Sequence, residues 1–396
     1  MRDIIRAAAL LFGLLAAAFS LLAALLLALA AALSGDALRL MNLTLLVSML
    51  TLGVGLGLPL AAAARRSMQQ RASPALRLPP AWWLGLIFLG LLLLGQLILT
   101  TPLASAGIPA LHVAASLMPP LLVVAAIAPP LQRAGAGLTR RSLATQFSYG
   151  GLVSISLALF LELALITIVF ILAGAGVALL PGGAESVERL AAELQARMAT
   201  GDLMGLASAL LSPGLVLGLG LLVAAAVPLI EELIKSLGVP FDAVVQGRLT
   251  RAQAFAFGVM AGVGFSFAEA LVYGAQQLPH NWVQGVALRA LTAVIHAAAT
   301  GLFALGWYEV AAGRALRFFP YAAGGVAIHA LWNGLSGLLL VTGLATLNSR
   351  PGMMIAGDAG MPLAVALLAS TWLAALAVLI VATRRLSASR EASHAG

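Results

Sequence analysis

Runs of twenty or more apolar residues, separated by short charged or turn-rich breaks, recur along the whole length of this chain. Crossing a hydrocarbon core of about 30 Å takes roughly 20 residues of helix. A backbone in lipid must also satisfy its own hydrogen bonds, which a helix does and an open strand does not. About ten such runs stand at residues 8–33, 41–63, 83–102, 108–129, 147–179, 206–230, 253–275, 284–307, 319–343 and 361–383. The fold class that follows is all-α: a polytopic transmembrane helical bundle of about ten spans. With 62% of residues apolar and 9% charged, the chain could not cover a water-facing surface. The absence of cysteine removes thiol catalysis, thiolate metal sites and disulfides.

The net charge of +8 lies in Lys and Arg clustered between the apolar runs, where positive charge sets topology, so no nucleic-acid partner is expected. Arg2 and Arg6 precede the first run; Arg65, Arg66, Arg71 and Arg77 follow the second; Arg133, Arg140 and Arg141 follow the fourth. The same side then receives Lys235, Arg248 and Arg251, next Arg314 and Arg317, and finally Arg384, Arg385 and Arg390. The opposite loops, 34–40, 103–107 and 276–283, hold only Arg39. This alternation predicts cytoplasmic N- and C-termini in a bacterial-type cytoplasmic (inner) membrane, with the lipid bilayer as surroundings and the first run retained rather than cleaved.

Four regions are expected: a five-span membrane region at 1–180, an outer-side amphipathic connector at 181–204, a catalytic-type intramembrane core at 205–345, and a last span with a basic cytoplasmic tail at 346–396. In the connector, Val187, Leu190, Leu194 and Met198 recur at helical spacing, and Glu193 pairs with Arg197 four residues on.

An ionisable side chain at membrane depth costs about 2.5–3.5 kcal/mol, so each needs a partner or a purpose. Such groups concentrate in the core: Glu231, Glu232 and Lys235 near the end of the sixth run, Glu269 in the seventh, His296 in the eighth, and His329 with Asn333 in the ninth. Residues four apart share a helix face, so Glu231 aligns with Lys235, Phe265 with Glu269, and His329 with Asn333. Glu232 is turned about 100° from Glu231, which lets the two carboxylates do different work. Gly258 and Gly262 offer a seam for close approach of another backbone, and Pro228 is placed to kink the sixth helix. Glu269 and His329 lie about 24 Å and 15 Å into their runs at 1.5 Å per residue. The sixth helix must therefore continue past residue 235 and sink the acidic pair.

Such a set can activate water for amide hydrolysis without a Ser or Cys nucleophile. Glu231, Glu269, His296 and His329 are equally the donors of a divalent metal site, zinc for example. Buried Glu and His also serve proton- or ion-coupled transporters, although transporters commonly repeat their polar helices in both halves and this chain does not.

Glu231-Glu232-x-x-Lys235, Phe265-x-x-x-Glu269, His296-x-x-x-x-Gly301 and His329-x-x-Trp332-Asn333, in this order on successive helices, resemble the PrsW-type intramembrane proteases. These are related more distantly to the CAAX prenyl proteases and bacteriocin-processing enzymes. The resemblance covers about residues 225–340. It implies an intramembrane endopeptidase acting on a membrane-anchored protein such as an anti-sigma factor. Glu231 or Glu232 would activate water, Glu269 and His296 would assist, and His329 and Asn333 would steady the oxyanion, with Lys235, Phe265 and Trp332 lining the pocket. The cofactor is none or a divalent metal; the resemblance leaves both open. Lys235 stands where the prenyl protease relatives usually carry arginine, which favours the PrsW branch.

Overall fold

The structure is a computed structural model and describes residues 1–200, 220, 222–247, 249–347 and 360–394. In chain order the helices are α1 (Arg2–Leu33), α2 (Asp36–Leu50), α3 (Gly57–Met68), α4 (Ala81–Leu99), α5 (Ala104–Arg133), α6 (Arg140–Ser148) and α7 (Ile155–Ala178). They continue as α8 (Gly183–Thr200), α9 (Val227–Ser236), α10 (Gly238–Gln246), α11 (Arg251–Ala275), α12 (Trp282–Ala311), α13 (Phe318–Leu347) and α14 (Gly360–His394). Wide π-helical turns at Thr51–Leu56 and Tyr149–Ser154 carry α2 into α3 and α6 into α7. Among the described residues eight helices are long and apolar enough to cross a membrane. Most of the expected sixth span, residues 206–230, lies outside the described residues, and the ninth corresponds to α13.

Local chemistry sets several of the helix starts. Thr139 and Thr250 each close a capping box, with Ser142 and Gln253 respectively, so α6 and α11 begin with orphan backbone donors satisfied. The acidic pair is buried, but the helix does not run on past residue 235 as expected: α9 ends at Ser236 and after Leu237 the chain resumes as α10. Tyr149 of the π turn and Gln146 of α6 secure that break. The Tyr149 hydroxyl donates to Ile234 O at 2.9 Å, and Gln146 donates to Gly238 O at 3.1 Å and to Asp242 at 2.7 Å.

The chain divides into two compact units. The first comprises Met1–Ser156, Glu231–His329 and Ser370–Gly396; the second comprises Leu157–Ile230 and Ala330–Ala369. Within the second unit, α8 carries the expected ion pair, Arg197 to Glu193 at 2.7 Å, and the π turn Leu222–Ala226 directly precedes Pro228.

At the centre of the first unit, α11 is enclosed and packs along α12. The glycine seam makes this possible. A Cβ at Gly262 would lie 2.4 Å from His296 O and 2.9 Å from Thr300 Oγ1, and one at Gly258 would lie 2.6 Å from Thr300 O. Gly262→Ala must push the helices apart and is expected to destabilise by about 1–3 kcal/mol, as overpacking does. Gly90→Ala, with nothing within 4 Å of the new methyl, should leave stability unchanged or slightly raised; thermal unfolding in detergent checks the contrast.

Three further sets of polar contacts tie helices together. His112 on α5 accepts from Trp282 Nε1 at 3.1 Å and bonds Leu271 O at 2.9 Å, so both ring nitrogens are satisfied and the residue is structural. Glu309, near the end of α12, is buried. Its carboxylate receives Arg314 at 2.5 Å and Arg251 at 3.6 Å, joining the end of α12 to the start of α11. Trp307 Nε1 donates to Ser236 Oγ at 2.8 Å and fixes the end of α9 against α12.

Candidate active site

Glu231, Glu232 and Lys235 lie on little more than one turn of α9, and the i, i+3 and i, i+4 spacings let the lysine reach both carboxylates. Its Nζ lies 2.7 Å from Glu231 Oε2 and 2.9 Å from Glu232 Oε1, with Lys235 and Glu232 fully buried and Glu231 6% exposed. Across from α9, His296 on α12 presents Nδ1 to the same ammonium at 2.9 Å. An ammonium has donors only, so Nδ1 must accept, which puts the imidazole proton on Nε2. That N–H donates to Glu269 Oε2 on α11 at 2.8 Å. The other oxygen of Glu269 faces the Arg289 guanidinium at 3.8 Å, which in turn lies over the Tyr273 ring at 4.4 Å.

The fourth helix of the cluster, α13, brings in His329. Its Nδ1 donates to Glu232 Oε1 at 2.9 Å, while Thr300 Oγ1 donates to Glu232 Oε2 at 2.6 Å. Glu232 thus accepts from a lysine, a histidine and a threonine. Glu231 differs: Oε1 has no protein donor among the described residues, and Oε2 stands 3.6 Å from His329 Nε2. Phe265 covers the ammonium, with its ring centroid 3.9 Å from Nζ, and the His296 and His329 rings meet edge to face at 4.7 Å.

The structure therefore brings Glu231, Glu232, Lys235, Phe265, Glu269, His296 and His329 together from four helices. Two placements differ from the sequence expectation. Lys235, expected on a pocket wall, is turned inward and fully buried at the centre. In the metal-type donor set, Glu232 rather than Glu269 joins Glu231, His296 and His329, with Glu269 standing behind His296. Both carboxylates of α9 reach His329, Glu232 Oε1 at 2.9 Å from Nδ1 and Glu231 Oε2 at 3.6 Å from Nε2. Trp332 is buried and Asn333 half-buried on α13, just beyond His329, and both belong to the second unit. Thr300 and Arg289 went unnoticed in the sequence, although a signal existed: Thr300 follows His296 by four residues and Arg289 precedes it by seven, on the same helix face.

A family model described as PrsW family intramembrane metalloprotease matches residues 139–371. The chain belongs to that family. Membership makes this integral, multi-pass membrane protein a protease and sets the transporter reading aside. The PrsW match reaches well upstream of the four motifs, to Thr139, and so takes in α6, whose Gln146 secures the break between α9 and α10. No curated protein and no solved structure gives a significant match.

The family description names a metal, and the donor chemistry is suitable: two carboxylates and two imidazoles whose ligating atoms all lie within 4.8 Å of one another. The space among them is nevertheless held by Lys235 Nζ, and the His296 Nδ1 lone pair is already engaged by it. Zinc needs donors at about 2.0–2.2 Å. With the ammonium in place the residues do not accommodate an ion.

Proposed function

We propose that this PrsW-family protein is an intramembrane endopeptidase that cleaves a membrane-anchored regulatory protein, an anti-sigma factor being the type example, with water activated by Glu231 and His329. The observation that carries the reading is the division of labour between adjacent carboxylates. Glu232 is fully buried and accepts three hydrogen bonds, whereas Glu231 keeps an oxygen, Oε1, without a donor among the described residues, and its Oε2 stands 3.6 Å from His329 Nε2. Glu231 and His329 are accordingly the groups assigned to hold the water molecule.

Glu231 is assigned as the base on its open Oε1. The water oxygen then bonds to the scissile carbonyl carbon while its proton passes to Glu231. When the C–N bond breaks, Glu231 returns that proton to the departing amine nitrogen. Glu232 and Thr300 orient His329, and Lys235 and Glu269 orient His296; these are positioning roles. The oxyanion is assigned, on the motif alone, to Asn333, four residues beyond His329. Both termini are assigned to the cytoplasmic side of a bacterial-type inner membrane on the alternation of Lys and Arg.

The experiment is cleavage of a single-span protein co-reconstituted with the full chain in liposomes. His329→Gln should cut kcat by about 10²–10⁴-fold, the range of one general acid–base contribution, with the thermal midpoint little moved. Undiminished cleavage by the folded variant would remove His329 from the reaction.

A further inference from the structure

We propose that the Lys235 ammonium is the resident cation of this cluster and occupies the position a divalent ion would take, so that the wild-type protein holds its site together without a metal. An ammonium offers three hydrogens, and here each has its own acceptor: Glu231 Oε2 at 2.7 Å, Glu232 Oε1 at 2.9 Å and His296 Nδ1 at 2.9 Å. The remaining side is closed by the Phe265 ring at 3.9 Å, an attractive face for a cation. The coordination sphere of the nitrogen is complete, and the side chain is fully buried. Three of the four donors that converge closely enough to hold a metal are the acceptors of this one nitrogen.

The tether makes this occupant hard to displace. Lys235 sits three and four residues after the carboxylates it binds, on the same helix, so its ammonium never leaves their neighbourhood, whereas an ion must be captured from solution. A divalent ion at the same point would place two cations within a hydrogen-bond length of each other in a low-dielectric interior, where repulsion is poorly screened. Binding an ion therefore requires the lysine to withdraw from a pocket that the structure closes around it. The inference extends the reading of this cluster as the peptidase site, and it rests on that reading for one consequence only: cleavage should be unaffected by chelators.

The test uses the full-length protein, stripped with chelator in detergent and titrated with Co²⁺, whose d–d absorption reports tetrahedral ligation, and with Zn²⁺. Wild type is expected to show no saturable site below about 100 µM and no change in thermal midpoint on chelation or on adding Zn²⁺, because a ligand that binds only the native state must raise that midpoint. Lys235→Met, with a neutral side chain of similar length, should gain one equivalent of metal at least about 100-fold more tightly, and Lys235→Met with His329→Gln should lose it again. If Lys235→Met does not fold unaided, rescue of its folding by Zn²⁺ supports the proposal and absence of rescue counts against it. Stoichiometric, chelator-sensitive Zn²⁺ in the wild type overturns it, as does a folded Lys235→Met that gains no site. Failure of the peptidase reading is a separate outcome: cleavage would persist in Glu231→Gln while these metal titrations came out as expected.

Discussion

Glu231→Gln is expected to lower peptide cleavage by about 10³-fold or more, within the range a general base contributes, while leaving the fold in place. The amide keeps a carbonyl oxygen for Lys235, which retains Glu232 and His296 as further acceptors, so the ammonium is not stranded. What disappears is the carboxylate beside His329 that has an oxygen without a donor among the described residues. Single-turnover cleavage of a reconstituted single-span substrate, beside a thermal unfolding curve of the same preparation, separates lost chemistry from lost structure. A variant that cuts at wild-type rate would remove Glu231 as the base.

Glu232→Ala should act in the opposite order, on stability first. Removing this side chain leaves the His329 Nδ1–H and the Thr300 hydroxyl without their acceptor and takes one of two carboxylates from a fully buried ammonium. Breaking a buried pair by deleting one partner costs about 3–5 kcal/mol, a large part of the stability of an ordinary domain. The expected result is a thermal midpoint lowered by many degrees and poor recovery from the membrane. Glu231→Ala, whose carboxylate has fewer donors, should lose clearly less. Equal destabilisation by the two alanines would mean that the adjacent carboxylates share one role.

Most of the architecture was legible because its signals are local. Apolar runs of membrane length and the Gly258–Gly262 seam are each written in a single stretch of chain, and the structure shows a helix or a close approach at those that fall on described residues. The motif residues on α9, α11, α12 and α13 could be named as a group because an ionisable side chain stands out against an apolar background. Their pairing could not be read in the same way. Which carboxylate faces His329 depends on the rotation of α9 about its axis, and α9 is held by contacts with α12 and the π turn at Tyr149. Hence Glu232 takes a place among the inner donors that spacing had given to Glu269. Hence also the ammonium of Lys235, whose sequence position suggested a helix end near water, lies at the centre of the group. Thr300 was overlooked for a simpler reason: a hydroxyl costs little in an apolar helix and so drew no notice.

The enclosure of α11 has a consequence for biogenesis. During synthesis this helix leaves the ribosome before α12, so Glu269 emerges while its partner His296 is still 27 residues behind. A lone carboxylate would resist entry into lipid. The two segments should therefore be released from the insertion machinery as one hairpin, with the glycine seam already zipped. A ribosome stalled between them would hold α11 short of the bilayer.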